Sequence, residues 1–161
     1  MLKGKTGVVL GVANKRSIAW AIAKSADREG ADLVLTYQNE RLQRNLEGLA
    51  GELAKPPLLL PCDVSDERQI DALFESIRKE RSHLDFLVHC LAFARKEDLD
   101  CGLAQIPLEG WQTALQVSAW SFPALARRAV PLMEGRRGSL LTLTYLGGER
   151  VIPNYNIMGV A

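Results

Sequence analysis

Short, wholly apolar runs alternate with longer amphipathic ones through most of this chain. Thr6–Leu10 (TGVVL) carries no charge, as a strand buried on both faces requires. Residues 17–29 follow, with Ile18, Ala19, Ile22, Ala23 and Ala26 at helical spacing and Gly30 as a stop. Asp32–Tyr37 reads as a second strand, and 40–53 as a more polar helix broken by Lys55-Pro56-Pro57. Residues 58–60 make a third strand. The 65–80 helix places Ile70, Leu73, Phe74 and Ile77 on one face. Residues 85–89 form a fourth strand, a loop of mixed composition runs to Pro107, and a long helix is predicted over 110–133. Pro123 lies inside that helix and should kink it, at a cost of about 3 kcal/mol. Residues 139–143 supply a fifth strand.

Strand and helix alternate without a repeat, a linker or a low-complexity segment. That order predicts an α/β fold: a Rossmann-type doubly wound parallel sheet with right-handed crossovers, truncated after the fifth strand. With 161 residues, one incomplete dinucleotide-binding domain over 1–161 is expected. Lysine and arginine number 20 against 19 acids, so charge gives no reason to expect a nucleic acid or an anionic membrane as partner. No apolar run approaches the roughly 20 residues that span a bilayer. Met1-Leu2-Lys3-Gly4-Lys5 lacks the apolar stretch of a signal peptide. Cys62, Cys90 and Cys101 are odd in number and show no CxxC spacing, which fits reduced thiols of a cytoplasmic protein and no metal framework.

Ligands of such sheets lie beyond the carboxyl ends of the strands, so the residues just after each strand are the candidates. After the first come Gly11, Ala13, Ser17 and Ala19, one glycine and three small residues where a fingerprint loop would meet a pyrophosphate. Ser17 reads equally as a helix cap or as part of that anion site. Gln38 ends the second strand, where it can hydrogen-bond ribose hydroxyls. Arg41 nearby could meet a 2′-phosphate, so NADH is favoured over NADPH without excluding it. Asp63-Val64 follows the third strand and could bracket an adenine edge, or Asp63 could cap the 65–80 helix. After the fourth strand, His89 reads as a core histidine and Cys90 as packing. Tyr145 closes the fifth strand, and Tyr155 follows ten residues later. A phenol there can donate a hydrogen bond to an oxygen that becomes negative as hydride arrives.

Five segments together carry a family resemblance: GVANKRSIA at 11–19, TYQNER at 36–41, CDV at 62–64, LDFLVHCLAFA at 84–94 and TLTYLGGERVIPNYNIMGVA at 142–161. The chain resembles the amino-terminal part of a bacterial enoyl-acyl-carrier-protein reductase, a divergent branch of the short-chain dehydrogenase/reductases. The resemblance implies a homotetrameric, cytoplasmic enzyme of fatty-acid elongation that reduces a trans-2-enoyl thioester on acyl carrier protein with NADH. It implies Tyr155, together with the nicotinamide ribose hydroxyl, as the group stabilising the enolate oxygen, and Tyr145 lining the substrate pocket beside the nicotinamide. Gly11, Ser17 and Ile18 would face pyrophosphate and ribose, Gln38 the adenosine ribose, and Asp63 and Val64 the adenine. Cys90, Leu91 and Ala92 would run along the cofactor, with Ala94 at the edge of the acyl pocket.

The family pattern places a lysine seven residues after the tyrosine, at position 162. A chain ending at Ala161 is therefore expected to be inactive, with strand five left as an exposed edge. The ordinary short-chain pattern wants lysine four residues on, where Gly159 and Glu149 stand. Arg95 replaces a common proline and Cys90 a common serine. Two other readings stay open: a nucleotide-binding or interaction fragment, and an ordinary carbonyl or ketoacyl reductase.

Overall fold

The computed structural model describes residues 1–161. Five strands, β1 (Thr6–Leu10), β2 (Asp32–Tyr37), β3 (Leu58–Pro61), β4 (Phe86–His89) and β5 (Ser139–Thr142), form one sheet in the order β3-β2-β1-β4-β5. Every pairing is parallel, as the alternating pattern predicts. The order reverses between β1 and β4, which opens a crevice above their carboxyl ends.

Helices α1 (Ile18–Arg28) and α2 (Glu40–Ala50) cover one face, and α3 (Glu67–Arg81) and α6 (Ser121–Ala129) the other. The predicted α3 stripe is the buried one: Ile70, Leu73, Phe74 and Ile77 all enter the larger core. Burying side chains of this size stabilises by about 1.5–3 kcal/mol each. On α1 the stripe is rotated from expectation. Trp20 is the largest fully buried side chain, so α1 turns to seat it, leaving Ile22 half-buried and Ile18 exposed at the helix start. Helix α2 stops at Ala50, earlier than predicted, because the buried Asp27 carboxylate accepts the N–H groups of Ala54 and Lys55 and holds the following segment to α1.

The 110–133 helix is not continuous. It divides into α5 (Leu108–Leu115), a π-helical turn at Gln116–Trp120, α6, and a 3-10 turn at Val130–Leu132. Ser121 N–H reaches back to Gln116 O, five residues away. Pro123 has no N–H to give Ala119 O, and the widened turn just upstream takes up the mismatch that was expected as a kink. The loop before it holds a short helix, α4 (Lys96–Leu99), that the sequence pattern did not signal.

At the amino ends of the strands, buried Asp85 ties three segments together. It accepts from Thr6 N–H at 2.9 Å, Lys5 Nζ at 3.0 Å and Arg136 Nε at 3.0 Å. Burial disfavours its charge, but the bonds from Arg136, Thr6 and Lys5 outweigh that and hold the carboxyl down at about 2. Strand β5 is an edge with mostly exposed side chains. A hollow of about 520 Å³ lies beside it toward α1, lined by Ile22, Phe86, Val88 and Leu141, and a second of about 530 Å³ lies on the other face. Both are away from the carboxyl-end crevice. No helix is long and apolar enough to cross a membrane.

Candidate active site

The first loop is shaped by a backbone contact. Gly11 has φ +96, and a Cβ there would stand 2.0 Å from Cys90 O, so β1 and β4 can leave the sheet side by side only with glycine. Ser17 occupies the N-cap position of α1 in extended conformation but caps nothing; its hydroxyl donates to Asn14 O at 2.7 Å. The cap reading is thereby corrected: no side chain caps α1, and while Trp20 N–H donates to Ser17 O, the N–H groups of Ile18 and Ala19 at the helix start have no backbone partner. Asn14 Oδ1 also accepts from Arg16 N–H, and Asn45 donates to Ala13 O, so the loop is braced from within and from α2.

Gln38 and Asp63 meet across the ends of β2 and β3, with Gln38 Nε2 donating to Asp63 Oδ2 at 2.9 Å. The cap of α3 is Asp66, which accepts from Arg68 N–H; Asp63 instead accepts from Ser65 N–H and Oγ. Partial burial works against the Asp63 charge, yet the Ser65 and Gln38 bonds prevail and hold its carboxyl below the usual range. Val64 is buried in the main core, so only its backbone can reach a ligand.

His89, at the end of β4, is a satisfied core histidine. Ser121 Oγ spends its hydrogen on Val117 O, so it accepts from His89 Nε2 at 2.8 Å, and Nδ1 accepts from Thr142 Oγ1 at 3.1 Å. Burial pushes its pKa down, favouring the neutral ring this network needs. Beyond it, Cys90 and Leu91 lean partly into the two cores while Ala92 stays exposed. Burial raises the Cys90 thiol pKa, consistent with packing rather than reactivity. Ala94 packs against a small cluster of Ile106, Ala114 and Ile157.

After β5, the Tyr145 and Tyr155 rings meet edge to face, centroids 4.8 Å apart at 61°. Three features hold the second tyrosine. Ile157 is wholly buried beside Ala114, and Asn156 Nδ2 donates to Leu99 O at 3.1 Å and to Cys101 O. A Cβ on Gly147 would stand 2.4 Å from the Tyr155 ring, so the pair closes over a position with no side chain.

The chain matches the family described as enoyl-(acyl carrier protein) reductase over residues 11–161. It belongs to that family. The NADH-dependent enoyl-[acyl-carrier-protein] reductase of Bacillus cereus is 49% identical to it over 163 residues, matching 100% of this chain and 63% of the relative. The Aquifex aeolicus counterpart is 42% identical, matching all of this chain and 59% of the relative. The chain thus spans roughly three-fifths of their length. In three dimensions, the Aquifex aeolicus crystal structure superposes with a TM-score of 0.95, over 99% of this chain and 68% of that one. An Anaplasma phagocytophilum reductase solved in complex with NAD gives 0.94 at 42% identity, over 99% of this chain and 60% of that one.

Within this family framework, the structure brings Gly11 to Cys90, Gln38 to Asp63, and Tyr145 to Tyr155. Ile18 is a large apolar side chain left 63% exposed at the start of α1. The sequence pattern did not single out Asn156, Gly147, Ser118 of the π-turn or Ser121 just after it. Only the glycine and the asparagine carried a local signal, as residues suited to a tight turn.

Proposed function

We propose that residues 1–161 supply the dinucleotide-binding part and the catalytic tyrosine of an NADH-dependent enoyl-acyl-carrier-protein reductase. The observation that carries this reading is the Tyr145–Tyr155 pair beyond β5, at the carboxyl ends of a sheet matched to that family. The crevice suits a dinucleotide. It has a glycine where Cβ cannot fit, uncapped helix N–H groups for a pyrophosphate, a Gln38–Asp63 polar pair for ribose and adenine, and the small exposed Ala92.

In this reading Gly11, Ser17 and Ile18 border the pyrophosphate and its ribose, and Gln38 hydrogen-bonds the adenosine ribose. Asp63 and the Val64 backbone border the adenine, and Cys90, Leu91 and Ala92 lie along the cofactor. Nicotinamide held along these residues would supply the hydride that the β carbon of a trans-2-enoyl thioester takes up. Tyr155 donates a hydrogen bond to the thioester oxygen as it gains charge, which lowers the barrier most where the charge is greatest. Tyr145 orients the Tyr155 ring and walls the pocket, with Ala94 at its acyl edge. Acyl carrier protein delivers the substrate, the assembly is a homotetramer, and three free cysteines fit a reducing cytoplasm.

The test is NADH oxidation with a crotonyl thioester. It is run on this chain and on a chimera completed to the Bacillus cereus relative's length with that relative's own residues. Turnover of enoyl but not β-ketoacyl thioesters supports the assignment. A folded chimera that binds no NADH and oxidises none refutes it.

A further inference from the structure

The π-helical turn interrupts the long helix midway, and its side chains reach the segments after three strands. Gln116 Nε2 donates to Ser65 O at 2.9 Å, beside the Asp63 turn. Ser121, at the turn's end, holds His89 and through it Thr142, the last residues of β4 and β5. Between them, Ser118 Oγ accepts from Phe93 N–H at 3.0 Å and lies 3.3 Å from Phe93 O and 3.9 Å from Met158 Sδ. Its single hydrogen can turn to either of the last two, and the carbonyl is the better acceptor. Phe93 stands half-exposed in the wall after β4, while Met158 lies three residues beyond Tyr155. The inserted residue of a π-turn re-aims the side chains around it, and such turns recur at functional sites.

We propose that Ser118 is a positioning residue: from the π-turn it sets the spacing between the Phe93 wall and the Tyr155 segment. Its contribution is geometric. Phe93 is exposed, so water can replace the lost partner at its N–H, and removing the hydroxyl costs little stability while freeing both walls. Gln116 and Ser121 keep the turn itself referenced to the rest of the sheet, so the displacement stays local.

The inference rests on the reductase reading, and the experiment separates the two. In this chain, Ser118→Ala is expected to raise amide exchange at Phe93 about tenfold. It also shifts the Met158 methyl and Tyr155 ring resonances and leaves Tm within about 2 °C. Ser118→Thr, which keeps the hydroxyl, restores all three signals. In the completed chimera, Ser118→Ala lowers kcat about tenfold with KM for NADH unchanged, since misplacement acts on the reacting geometry. Unchanged Phe93 exchange and unchanged Met158 and Tyr155 resonances overturn the clasp, whether or not the chimera turns over. Altered resonances with an unaltered kcat in an active chimera overturn the positioning role. A chimera that binds and oxidises no NADH refutes the reductase reading, and with it any part for Ser118 in that reaction.

Discussion

Gly147→Ala tests how closely the tyrosine pair is set. The added Cβ would stand 2.4 and 2.6 Å from two Tyr155 ring carbons and 3.2 Å from Tyr145 Cδ1. Non-bonded carbons settle at about 3.5 Å or more, so the Tyr155 ring must retreat by roughly 1 Å. A displacement of about 1 Å at a reacting group costs on the order of 100-fold in rate, or roughly 2.7 kcal/mol of transition-state stabilisation. Tyr155 is half-buried, so the ring can swing outward, and the stability loss should stay near the low end of the ~1–3 kcal/mol typical of overpacking. Two measurements read the result: NADH oxidation with a crotonyl thioester by the completed chimera, and the Tyr145 ring proton shifts in this chain, which depend on the facing ring. A Gly147→Ala protein with kcat within about twofold of the parent and unchanged tyrosine resonances would refute the packing argument.

Asp85→Asn should destabilise the fold by about 2 kcal/mol at neutral pH, because the native carboxyl sits at about 2 against an ordinary 3.8. A depressed carboxyl contributes stability that is present above its unfolded pKa and lost as pH falls through the folded one. The parent Tm should therefore drop between about pH 4 and 2, and the variant's less steeply. His89 is also depressed, by burial, so the unfolded chain takes up its proton first as pH falls below the ordinary 6.5. Stability should decline from there toward the folded pKa, and His89→Gln should remove part of that slope in urea titrations run across the range. Gln38→Ala should weaken NADH binding by about two- to tenfold, the loss of one hydrogen bond, read by fluorescence titration. No change in affinity would remove Gln38 from the ribose contact.

Much of this molecule is legible in its sequence. Strand and helix periodicity is local, so five strands and the α3 stripe of Ile70, Leu73, Phe74 and Ile77 follow from spacing alone. The βα order implies a parallel sheet, because a right-handed crossover packs a helix back onto its own strands. Gly11 and Tyr145 stood out because each comes just after a strand, and Tyr155 because it lies beyond the fifth. What spacing cannot carry is which side of a chain faces which neighbour. Trp20 outweighs Ile18 and turns α1 because volume in a packed core decides orientation. Asp66 rather than Asp63 caps α3, with Asp63 held by Gln38 from the end of β2 and by Ser65, and Ser17 leaves α1 uncapped because its hydroxyl is spent on the Asn14 carbonyl. The His89 network arises only once β4, β5 and the long helix meet. The sequence by itself determined the elements and their order, through local propensity and periodicity. The tertiary structure alone decided how the Tyr155 segment is seated, because Asn156 bonds the carbonyls of Leu99 and Cys101 and Ile157 packs on Ala114, residues that nothing local links to it.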